Sequence, residues 1–129
     1  MNAQTKLMLL KLALAAFGAI FLVIYPLGLI WPSGWVWHGG MGVYYLQMIA
    51  VIYAVLGVFL IMASRDPGAH RSLIWFTVWS SAAHGAVMAV QAITDSHETG
   101  HLLGDVPALF LVAIVLGYLN SQVALAPAE

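Results

Sequence analysis

The segment His97-Glu98-Thr99-Gly100-His101 places two imidazoles and one carboxylate in the five-residue HExxH spacing. On an α-helix the two His, at i and i+4, share a face and can hold one metal ion, while the Glu between them deprotonates a metal-bound water. Asp105 continues the series at i+8 and is the candidate third ligand, provided the helix persists past Gly104. Asp95 followed by Glu98 has the spacing of a capping box, which predicts a short helix beginning here. His38, in a separate Trp- and Gly-rich segment, is the candidate fourth ligand. Imidazole and carboxylate donors suit a divalent transition metal such as Zn or Cu, or Fe or Ni. Because neutral imidazoles are required, such a site should weaken as pH falls through the histidine range, near about 6.5 unperturbed. A hydrated turn without metal is the alternative for the same residues.

A second constellation lies inside an apolar run. Thr77, Ser81, His84, Met88, Gln91 and Asp95 recur at steps of four and three, which aligns them on one helical face. His84 lies about 16 Å along the helix from Leu73, near the middle of a bilayer. An ionisable group at that depth is costly against lipid, so this face is expected to look at protein. Ser81, Gly85 and Ala89 add the small-xxx-small spacing of close helix contacts. His84 either hydrogen-bonds a neighbouring helix or serves as a cofactor ligand or proton-relay group. As a haem ligand it would need a second axial group, such as Met48 or His84 of a second copy. A chlorophyll-type pigment would need one.

Composition says what must hold these residues. Apolar residues make up 63% of the chain and charged residues 7%, against about 45–50% and about 25% in soluble domains. A water-facing surface cannot be built from that. A net charge of −1 without a basic run excludes nucleic acid as a partner. With no cysteine, thiol catalysis and Cys-ligated metal sites are excluded as well.

Four apolar runs are delimited at about 12–31, 41–63, 73–94 and 105–126, in a single domain. Each approaches or exceeds the ~20 residues that cross a bilayer. Pro26 should kink the first in its outer half. Ser64-Arg65-Asp66-Pro67-Gly68 ends the second, and Asp105 with Pro107 suits the start of the fourth, Asp105 as its N-cap. The expected fold is all-α, an integral-membrane bundle of four helices running up-down-up-down. Lys6, Lys11, Arg65 and Arg71 then fall on one side, which the positive-inside rule makes cytoplasmic, with both termini. Trp31, Trp35, Trp37, Tyr44 and Tyr45 would form the outer aromatic belt, and Trp75 and Tyr118 would lie toward the inner one. The expected location is a bacterial inner membrane.

Trp37-His38-Gly39-Gly40, Arg65-Asp66-Pro67, Leu73-Ile74-Trp75-Phe76, Trp79-Ser80-Ser81-Ala82-Ala83-His84 and Gly104-Asp105-Val106-Pro107 resemble a small uncharacterised family of bacterial four-helix membrane proteins. That resemblance spans nearly the whole chain and implies a fold without an activity. The HExxH segment by itself resembles the zinc motif of zincin metallopeptidases, which would make Glu98 a catalytic base. The extended form of that motif fails, because Pro107 stands where its third ligand would be. The leading expectation is a non-catalytic accessory or anchor subunit of a larger membrane complex or homo-oligomer, with a metal site at its outer face. The alternatives are a membrane zinc hydrolase and a haem- or pigment-binding subunit through His84.

Overall fold

The computed structural model describes residues 2–36 and 42–124. Its elements follow the apolar runs: α1 (Ala3–Leu22), α2 (Ile24–Ile30), α3 (Pro32–Trp35), α4 (Gly42–Ala63), α5 (Arg71–Thr94), a 3-10 helix (Ser96–Leu102) and α6 (Asp105–Ala124). Among the described residues, four segments are long and apolar enough to cross a membrane, as in an all-helical, multi-pass membrane protein.

The first spanning helix begins at Ala3, well before the expected Leu12. Asn2 caps it, its Oδ1 accepting the Thr5 backbone N–H at 2.8 Å. Lys6 and Lys11 are good helix formers and extend the helix beyond its uncharged part. The expected interruption falls at Val23, which has φ −109° and ψ 13° and separates α1 from α2. Pro26 explains it: proline has no N–H for the Leu22 carbonyl, and its ring crowds that oxygen.

Side-chain contacts fix the directions. Lys6 Nζ donates to Gln122 Oε1 at 2.8 Å, joining the start of α1 to the end of α6. At the opposite end, Phe17 and Phe21, Leu46 and Tyr53, His84, and Asp105 surround one cavity. Consecutive spanning helices therefore alternate in direction, as expected. The closest pairs are α1 with α4 and α5 with α6, and α1 with α6 joins them. Although consecutive, α4 and α5 pack less closely than these pairs.

Leu10, Leu14, Leu60, Ile74 and Leu116 are fully buried where the helices meet. Lipid tails are as apolar as these side chains, so close packing, not escape from water, must hold the pairs together. Glycines allow it. A Cβ on Gly18 would lie 2.7 Å from the Gly57 carbonyl oxygen, and one on Gly57 would lie 2.6 Å from that of Gly18. The α1 and α4 backbones touch at this crossing, which the sequence reading did not identify. Gly85, which it did, packs on α6: a Cβ there would be 3.3 Å from Leu109 Cβ. At the cavity end, Gly100 and Gly104 let the 3-10 helix and the turn after it lie against the Ser33 and Gly34 carbonyls of α3.

Candidate functional site

The winding of residues 96–102 decides what the HExxH segment can do. A 3-10 helix has three residues per turn, so residues i and i+3 eclipse, whereas i and i+4 diverge. Asp95 starts the tight turn by accepting the His97 backbone N–H at 2.9 Å, and Gly100 permits the backbone contact with α3. That bond holds the exposed Asp95 carboxyl below its ordinary value. Only half of the capping box forms, because the Glu98 side chain turns toward His101.

The expected metal pair is consequently split. The His97 side chain is 86% exposed, its Nδ1 3.3 Å from Asp95 Oδ1, whereas the His101 side chain is fully buried. His101 instead lies between two carboxylates. Its Nε2 is 3.3 Å from Glu98 Oε2, and its Nδ1 is 2.9 and 3.0 Å from the two Asp105 oxygens. Asp105, expected as N-cap, is the first residue of α6. Among the described residues, no three His, Asp or Glu side chains are arranged to hold a metal ion. Glu98, the base of the zincin-like reading, is buried against an imidazole. His38 lies outside the described residues, as does Trp37.

His84 finds a partner that was not anticipated. Tyr53 of α4 sits with its hydroxyl 2.6 Å from His84 Nδ1, the two rings 5.9 Å apart. When the phenol donates to Nδ1, the neutral imidazole carries its proton on Nε2. Phe21 of α1 meets the Tyr53 ring edge-on at 5.0 Å and fixes its position. Met48, considered above as an axial partner, is 58% exposed. Helical phase is the reason: Leu46, Ile49 and Tyr53 form the inward face of α4, and residue 48 lies off it.

The rest of the α5 stripe is partly as expected. Thr77, Ser81 and Met88 are buried, and Thr77 satisfies its hydroxyl on the Leu73 carbonyl at 2.9 Å. Gln91 and Asp95 are exposed, since Ala92 takes the inward position in the last turn.

Between α4 and α5, bridged by Tyr53 and His84, lies a cavity of about 180 Å³. Phe17, Phe21 and Trp35 supply aromatic walls, and α4 and α6 add aliphatic ones. Polar groups are few: Tyr53, His84 and the Asp105 carboxylate. Cavities near 150 Å³ lined by apolar side chains admit a benzene-sized guest. Mostly apolar walls with a few convergent polar groups are what small-molecule sites share. The sequence singles out His84 and Asp105 for ligand roles and not for this cavity, and it does not single out Tyr53, whose lone hydroxyl at a comparable depth in the second apolar run was the available signal.

One family model matches, over residues 4–128, and its description reads "Family of unknown function (DUF6632)". No curated protein and no solved structure matches the chain.

Proposed function

The chain belongs to this family of unknown function, and we propose that it is a non-catalytic membrane protein whose cavity between α4 and α5 binds a small, ring-sized apolar molecule with one hydrogen-bonding head group. The observation that carries this reading is the pairing of an apolar, aromatic-walled cavity of about 180 Å³ with a Tyr53–His84 hydrogen bond and the Asp105 carboxylate of α6 in its lining. Looser packing of α4 against α5 gives the guest a route from the bilayer. His84 Nε2–H is the donor for the head group, and Asp105 is the acceptor. Such a role needs no aqueous domain, and it suits a subunit that presents a bound molecule to a larger membrane complex.

The test is equilibrium binding of 2-phenylethanol to the protein in nanodiscs, compared with Ala108→Trp in the same lipid. Ala108 lines the cavity, and an indole there would fill it. Saturable binding that the substitution abolishes is expected. Equal uptake by both proteins, proportional to lipid, would defeat the proposal.

For orientation, we propose that the end carrying Lys6, Arg65 and Arg71 is cytoplasmic and the cavity end faces outward, following the positive-inside rule. Single cysteines at Ser33, Ser64 and Ser96 should react with an impermeant thiol reagent in intact cells at 33 and 96 only. Labelling at 64 alone would reverse the orientation.

A further inference from the structure

Among the described residues that line the cavity, the one formally charged side chain is acidic. Asp105 stands on the cavity wall, His101 contacts it from behind, and Glu98 contacts His101 in turn. The four cationic side chains of the chain lie elsewhere: Lys6 and Lys11 in the first turns of α1, Arg65 after α4, and Arg71 at the start of α5. We infer that the occupant of the cavity is an organic cation, an aryl-alkyl ammonium of ring size, with Asp105 as its counter-ion. This rests on the cavity being a binding site at all.

The physical reason is charge complementarity in a dry place. An anionic head group would meet a carboxylate at close range with little solvent to screen the repulsion. A neutral head group gains one ordinary hydrogen bond, whereas an ammonium gains a charge-assisted one. Phe17, Phe21, Trp35 and Tyr53 line the same space, and aromatic rings attract cations.

Three probes of nearly one shape separate the possibilities: phenethylammonium, 2-phenylethanol and phenylacetate, titrated calorimetrically into the full-length protein in phosphatidylcholine nanodiscs. Phenethylammonium should bind about tenfold more tightly than 2-phenylethanol, as one charge-assisted contact implies, and phenylacetate most weakly. Asp105→Asn should abolish the preference for the ammonium, so that ammonium and alcohol bind with similar affinity. Ammonium binding no tighter than alcohol binding overturns this inference while the cavity reading stands. If none of the three binds, both readings fall.

Discussion

Gly57→Leu is expected to force α1 from α4 and to destabilise the bundle by about 3 kcal/mol or more, at or above the usual range for overpacking. The added side chain has nowhere to go: even its Cβ would sit 2.6 Å from the Gly18 carbonyl oxygen and 3.1 Å from Phe21 Cβ. Backbone cannot swing aside as a flexible side chain can, so the helices must separate. In a membrane the loss is not offset by any gain from exposing polar surface, because close contact is itself the source of association. Gly68→Ala is the control, since a Cβ at Gly68 meets only Asp66 Oδ1, at an ordinary 3.4 Å. Reversible unfolding in mixed micelles on SDS titration should show a large loss for Gly57→Leu and almost none for Gly68→Ala.

His101→Ala should be nearly as damaging, and unlike His97→Ala. Removing His101 leaves Glu98 and Asp105, both largely buried, facing each other across an empty space. Removing the partner of a buried carboxylate typically costs about 3–5 kcal/mol. His97 is solvated and, among the described residues, bonded to exposed Asp95, so its removal should shift stability by no more than about 0.5 kcal/mol. A metal site built on both imidazoles would make the two substitutions similar, and would make the damage depend on added metal. Thermal unfolding of both variants with and without Zn and Cu distinguishes the two accounts.

The contrast between those two histidines shows where the sequence is legible and where it stops. Long apolar runs, basic residues at alternate ends and proline breaks are signals summed over many residues, and they specify four spanning helices and their directions well. The HExxH spacing depends instead on the local winding of seven residues. Its two imidazoles share a face at 3.6 residues per turn and diverge at three. What selects the tighter winding is tertiary: Gly100 and Gly104 against the backbone of α3. No local pattern reports that contact. His84 was correctly placed at an inward, mid-helix position, yet its partner could not be read off, because Tyr53 meets it between two helices that are not closely packed. The Gly18–Gly57 crossing was hidden for the same reason: each glycine is unremarked in its own run and gains meaning only opposite the other.

The direct test of the central claim, that the space between α4 and α5 is a ligand site, is photolabelling of the protein in nanodiscs with a phenyl diazirine. Mass spectrometry then locates the adducts, with and without excess 2-phenylethanol. The account predicts saturable, competable labelling at buried cavity residues such as Met88 and Leu109. Labelling spread over exposed positions such as Val51, Ile93 and Ile114, unaffected by competitor, would contradict it.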